Sequence, residues 1–219
     1  MNLEHIWKLT QPLLMGAQTT ILLFLIVILL SLPLGFVFTA MVRSRFRVVR
    51  LIGNAYINLM RGTPLLLQLF FIYFGLPILP VIGPYLKFGR FTAACIGFVL
   101  NYAAYFAEIY RGGLLAIDKG QYEACKVLGL SKAQTTLKVI LPQMIRVALP
   151  SLANESITLV KDTSLLYAVS VPEVLHYAKL AVSREMTTVP FILAAIIYLL
   201  MVLLLTFFFR KVEKKFSFK

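Results

Sequence analysis

Two carboxylates, Glu155 and Asp162, stand in a stretch, residues 141 to 166, that is otherwise largely apolar. An ionisable group at the centre of a bilayer costs about 2.5–3.5 kcal/mol on insertion scales, so it normally faces a partner or a water-filled path. On a continuous helix Glu155, Thr158, Leu159 and Asp162 fall at i, i+3, i+4 and i+7, which places them on one face. Asn101, Tyr105 and Glu108 repeat that kind of spacing upstream, with Glu108 beside Arg111 at the end of its apolar run. One reading is a polar site between helices, in which Glu155, Asp162, Asn101 and Thr158 bind a substrate and the carboxylates attract an ammonium or other cationic group. The other is structural: Glu155 and Asp162 pair with Lys161, Arg146 or Arg61, or Asp162 caps a break where the helix exits. On the sequence both stay open.

Other chemistries find no support. Cys95 lies in an apolar run and Cys125 in a polar loop, with neither metal-ligand spacing nor an evident disulfide partner. His5 lies near one terminus and His176 in the loop expected after the fourth span, so no histidine and carboxylate set assembles for metal binding or nucleophilic catalysis. No G-x-x-x-x-G-K-[ST] phosphate loop occurs. The chain is therefore not expected to be an enzyme or to hold a cofactor or metal, and any ATP is expected to be used by a separate polypeptide.

Composition identifies the solvent of the elements that carry these residues. Of 219 residues 60% are hydrophobic and 14% charged, whereas a soluble domain is nearer half apolar and a quarter charged. The net charge of +13 resides in short clusters between apolar runs, not on one folded face, so nucleic acid is not an expected partner and membrane lipid is. A spanning helix needs about 20 mostly apolar residues. Residues 9 to 42, 62 to 86, 91 to 107, 141 to 166 and 186 to 209 supply five such runs. Pro77, Pro80 and Pro84 end the second near Leu76. The N-terminus has no positive leader and no cleavage site, so the first run is retained as a span. With five spans, Arg43, Arg45, Arg47, Arg50, Arg111, Lys119, Lys126, Lys132, Lys138, Arg210, Lys211, Lys214, Lys215 and Lys219 share one side. The positive-inside rule makes that side cytoplasmic, with the N-terminus outside and the C-terminus inside. No linker or repeat interrupts the chain, so residues 1–219 are expected to form a single transmembrane domain.

The loop from Asp118 to Pro142 is too ordered in pattern to be a plain connector. Good helix formers fill residues 121 to 128, Gly129 suits the left-handed position past a helix end, and Ser131 with Gln134 matches a capping box. Ala124, Val127 and Leu128 share an apolar side that suits a partner protein or the membrane interface.

Glu123, Ala124, Cys125, Gly129, Leu141 and Pro142 resemble the EAA loop of ATP-binding-cassette importer permeases, with Cys125 at the second Ala and Val139 where Ile is usual. Arg61-Gly62-Thr63-Pro64, Asn154-Glu155 and Lys161-Asp162-Thr163-Ser164-Leu165 extend the resemblance to the polar amino-acid subfamily. It implies the all-α permease fold of a type I importer: a bundle of about five transmembrane helices with a cytoplasmic coupling helix, in a bacterial inner membrane. It further implies two ATP-binding subunits, a second copy or a sister permease, and an extracellular or periplasmic solute-binding protein, with an amino acid as substrate moved by alternating access. Glu123, Ala124, Cys125, Gly129, Leu141 and Pro142 would then lie at the ATPase contact. An ATP-independent amino-acid transporter or channel is the alternative, and it would be favoured by a duplicated half, which is absent.

Overall fold

The computed structural model describes residues 3–216; residues 1–2 and 217–219 lie outside it, and with them Lys219 of the expected basic tail. Every described element is helical. In chain order the α-helices are α1 (Leu3–Val42), α2 (Arg47–Gly62), α3 (Leu65–Phe70), α4 (Arg90–Leu115), α5 (Lys119–Val127), α6 (Lys132–Gln134), α7 (Leu141–Asp162), α8 (Val174–Glu185) and α9 (Val189–Phe216), joined in places by short 3-10 and π turns. Helices α1, α4 and α9 are each long and apolar enough to cross a membrane. Counting each of two bent pairs as one span brings the total to five: α2 turns by 106° into Leu65–Ile78, and the rod Lys132–Val169 turns by 56° into α8. The expected runs 9–42, 91–107 and 186–209 fall on these three helices, whereas 62–86 starts at the last residue of α2 and 141–166 lies within the rod, so α2 and α8 belong to no expected span.

Helices α1 and α4 form the centre. Their backbones approach because small residues line the seam: a Cβ on Gly35 would sit 2.9 Å from Phe106 Cβ. Ser31 Oγ donates to the Val99 carbonyl at 3.1 Å and Thr39 Oγ1 to that of Ala107 at 2.9 Å. Hydroxyls bonded to backbone across small-residue contacts are a usual way for helices to associate in lipid, where burying apolar surface contributes little between helices. Leu23, Val27, Phe98, Tyr102, Phe106, Met144 and Leu159 fill the core that α7 completes.

Both broken spans wind irregularly just before a proline. Phe71–Gly75 and Thr135–Ile140 are π-helical, and each contains the residue four before a proline, Tyr73 for Pro77 and Lys138 for Pro142. The proline ring crowds that carbonyl and supplies no N–H, so the helix widens instead of ending.

The boundaries depart from expectation in four places. The basic segment after α1, expected as a loop, is the 16-residue helix α2, whose Gly53 and Ile57 are buried. His176, expected in a loop, lies in α8, a 12-residue helix capped by the Glu173 carboxylate on the Leu175 and His176 amides. Glu173 is wholly buried and also accepts from Tyr198 Oη at 2.5 Å. The third span extends through Glu108 and Arg111, which pair with each other on α4. The fifth runs past Arg210 to Phe216, because Lys and Arg are good helix formers and suit a helix C-terminus.

Candidate functional site

Helices α2, α3, α4 and α7 meet around a cavity of about 540 Å³, lined by residues 61–65, Asn101, Tyr102, Tyr105, Glu155, Thr158 and Asp162. All four substrate-binding candidates of the sequence border it. Leu159, expected on the same face, instead turns wholly into the core. The cavity therefore takes the i, i+3, i+7 positions of α7, and the i+4 position packs.

Each wall has a cause. Pro64 cannot continue α2 and keeps Thr63 extended, so the chain turns there. The turn is held by amides: Gln68 Nε2 donates to the Met60 carbonyl at 2.9 Å and to Thr63 Oγ1 at 2.8 Å. Asn101 Nδ2 donates to Gln68 Oε1 at 3.0 Å and to the Met60 carbonyl at 3.1 Å. Asn101, a substrate candidate on the sequence, thus has its donor group committed to the corner between α2 and α3. Its geometry is that of a brace.

The carboxylates differ in their surroundings. Asp162 accepts from Tyr102 Oη at 2.7 Å. Glu155 has no hydrogen bond or ion pair among the described residues, although it is only half-buried at the cavity wall. Among the described residues no ion pair joins Glu155 to Arg61 or Asp162 to Lys161, pairs that were weighed on the sequence; those cations act on the two carboxylates only from a distance. Arg61 is held by Glu108, 3.7 Å away, and lies over the Tyr105 ring at 5.4 Å. Glu108 is also paired with Arg111, at the end of α4 as expected. A half-buried carboxylate with no hydrogen bond or ion pair, a second one oriented by a tyrosine, and an aromatic wall outweigh the single lining cation, Arg61, and form a chemistry that suits a cationic or ammonium-bearing ligand. Tyr102 and Arg61 were missed as cavity residues. Tyr102 adjoins Asn101 in sequence, and Arg61 opens a stretch already singled out for its resemblance, so position alone was a usable signal.

The second region is the α5 corner. Asp118 caps α5 by accepting from the Gly120 amide at 2.6 Å. Gly129 adopts φ 68°, and the Leu130 amide reaches the Cys125 carbonyl at 3.0 Å while the Gly129 amide reaches that of Lys126 at 3.1 Å. These two bonds are the left-handed helix ending expected from the glycine. Ser131 and Gln134 form the expected capping box. Glu123, Ala124, Gly129 and Pro142 are exposed and Leu141 is half-buried. Cys125 is 3% exposed and faces inward, whereas Val127 and Leu128 are 88% and 75% exposed, an apolar surface with nothing over it. Gln143 Nε2 donates to Gln121 Oε1 at 3.0 Å, fastening α5 to the rod that leads to the cavity.

Comparison with known proteins agrees with this architecture. Residues 31–218 match the family described as the binding-protein-dependent transport system inner membrane component. The chain is 39% identical over 203 residues to the probable amino-acid ABC transporter permease protein YckA of Bacillus subtilis (strain 168), covering 92% of this chain and 88% of that one. It is 37% identical over 218 residues to the arginine transport system permease protein ArtQ of the same organism, covering 98% of each. A crystal structure of an amino acid ABC transporter with histidines superposes with a TM-score of 0.88 at 30% identity, over 98% of this chain and 99% of that chain. With helices that can cross a membrane, a matching fold and a family match along most of its length, this chain belongs to the family of inner membrane components of binding-protein-dependent transport systems.

Proposed function

We propose that this chain is the permease subunit of an ATP-driven amino-acid importer, and that the cavity between α4 and α7 receives the substrate. The observation that carries the reading is Glu155, a carboxylate at membrane depth with no hydrogen bond or ion pair among the described residues, beside the Tyr102-bound Asp162. An amino acid brings an ammonium group to such a site. Relatives named as amino-acid and arginine permeases support the substrate class and favour an ABC permease over an ATP-independent transporter or channel.

The same rod supports a coupling role. It runs from Lys132, beside the α5 corner, to Asp162 at the cavity, about 45 Å at 1.5 Å per residue. One of the complex's two ATPase subunits would seat on this α5 through Glu123, Ala124, Gly129, Pro142 and the exposed Val127 and Leu128, with Cys125 and Leu141 supporting that surface from behind. ATP is used by those subunits and no cofactor by this chain. A second permease, identical or sister, completes the pathway, and a solute-binding protein delivers substrate from outside. The N-terminus lies outside and the C-terminus in the cytoplasm; modification of a C-terminal cysteine by an impermeant reagent from the outer side would overturn that topology.

Glu155→Gln tests the site, since it keeps size and hydrogen bonding and removes the charge. A hydrogen bond to a charged group contributes about 1.5–3 kcal/mol, so substrate affinity of the reconstituted complex is expected to fall about tenfold or more. Cationic amino acids should suffer more than neutral ones if Glu155 meets the side chain, and ATPase retention should be unchanged. Full affinity and uptake for every substrate would make Glu155 a structural residue.

A further inference from the structure

Helix α2 presents three faces. Gly53 and Ile57 are buried against α1 and α4. Val48, Leu51, Ile52 and Leu59 are exposed and apolar, as lipid requires. Between these faces, Arg47, Arg50, Asn54, Asn58 and Arg61 follow one another at spacings of three, four, four and three, a single stripe along the helix, and all five are exposed.

Depth makes this stripe informative. Tyr56 Oη donates to the Leu100 carbonyl at 2.5 Å, Ile57 packs on Ala104 and Ala107, and the Met60 carbonyl accepts from Asn101. Those partners lie in the middle of α4, itself a membrane-crossing helix, so the C-terminal half of α2 is at bilayer depth. Asn54 and Asn58 have no side-chain hydrogen bond among the described residues. Hydrocarbon penalises unpaired amides and guanidinium groups, and polar residues inside the membrane face a bundle interior or water. The stripe starts at Arg61 on the cavity wall and ends at Arg47 in the basic cluster after α1.

We propose that this face of α2 lines a water-filled path by which the amino acid leaves the cavity toward the cytoplasm, with Asn54 and Asn58 hydrogen-bonding the passing substrate. The proposal rests on the permease reading above. The stripe carries no carboxylate, so it complements the anionic cavity: the ammonium group is held by Glu155 and Asp162, and the departing carboxylate meets Arg61, the two asparagine amides, then Arg50 and Arg47 in turn. A release path must bind weakly at each step, which uncharged amides between charged ends provide.

Cysteine accessibility tests it in the permease–ATPase complex reconstituted in lipid. The native cysteines are Cys95 and Cys125; Cys95→Ala gives the background, and Cys125, 3% exposed and part of the α5 corner, is kept with its own labelling subtracted. Into it are placed Asn54→Cys and Asn58→Cys on the stripe, and Ile52→Cys and Leu59→Cys on the apolar face. A charged methanethiosulfonate is expected to modify the stripe positions at least about tenfold faster than the apolar ones, because the thiolate is the reactive form and hydrocarbon suppresses it. Substrate uptake should slow in Asn58→Asp, whose charge repels the carboxylate, and recover in Asn58→Gln. Stripe positions reacting no faster than the apolar ones would overturn the proposal and mark the face as covered by a neighbouring permease or lipid. Normal uptake by Asn58→Asp would overturn it also. Labelling does not depend on Glu155, so fast labelling combined with an unaffected Glu155→Gln would remove the cavity reading and leave the path.

Discussion

Gly129 offers a way to separate a conformational requirement from a docking contact at the α5 corner. Its φ of 68° lies in the left-handed region, where an L side chain costs roughly 1–2 kcal/mol. A Cβ added there meets nothing within 4 Å in this chain, so the local cost is conformational and independent of side-chain size. Gly129→Ala and Gly129→Arg are therefore expected to lower the stability of the isolated permease equally, by about 1–2 kcal/mol, and Gly129→Asn by less, since Asn visits this region more readily. That is small against a typical stability of about 5–15 kcal/mol, so all three should insert and purify. Docking should distinguish them. If the ATPase covers Val127, Leu128 and the corner, the long cationic side chain alone blocks the seat, and co-purification of the ATPase fails for Arg while Ala and Asn retain it. Glu123→Ala, at an exposed position, is the mild comparator, expected to cost under about 1 kcal/mol or roughly fivefold in ATPase affinity. The assay is thermal unfolding of each permease alone, with ATPase retention on the same preparations. Equal retention by Ala and Arg would refute the contact and leave Gly129 a purely conformational residue.

Two further substitutions probe the frame. A Cβ on Gly16 would lie 2.5 Å from the Glu173 carbonyl carbon and 2.6 Å from the Val174 amide nitrogen, so Gly16→Ala should destabilise by about 1–3 kcal/mol through overpacking. Gly112→Ala, where an added Cβ meets nothing within 4 Å, is the control, and equal melting temperatures would contradict the close approach. Asn101→Leu should cost about 1–3 kcal/mol by leaving the part-buried Gln68 Oε1 at the α2–α3 corner without its donor. A double-mutant cycle with Gln68→Leu should then show strong coupling, and additive losses would argue against the brace.

The residues explain what could be read in advance. Apolar run length reveals spans because lipid demands continuous satisfied backbone, and the runs containing residues 21 to 32 and 91 to 107 needed no tertiary information. The α5 corner was also legible, since Gly129, Ser131 and Gln134 act through local backbone bonds that the chain makes with its near neighbours. Helices α2 and α8 were not, because each has only part of its surface in lipid. Their apolar residues alternate with Arg47, Arg50, Asn54 and Asn58, or with Lys179 and Arg184, which a hydropathy window averages away. What decided them was the packing of Gly53, Ile57 and Ala178 against other helices.

The sequence by itself determined that the chain lives in lipid, which polar residues stand within it, and that Glu155, Thr158 and Asp162 share a helix face, all consequences of composition and of the 3.6-residue period. Only the tertiary structure decided which polar residue does what. Asn101 became a brace because Met60 and Gln68, distant in sequence, are brought to its amide, and Asp162 acquired Tyr102 for the same reason. Glu155 was left without an ion pair because the candidate Arg61 sits against Glu108 and reaches Glu155 only through its charge. A pairing between side chains on different helices depends on rotation and depth set by the whole bundle, and no local pattern encodes that.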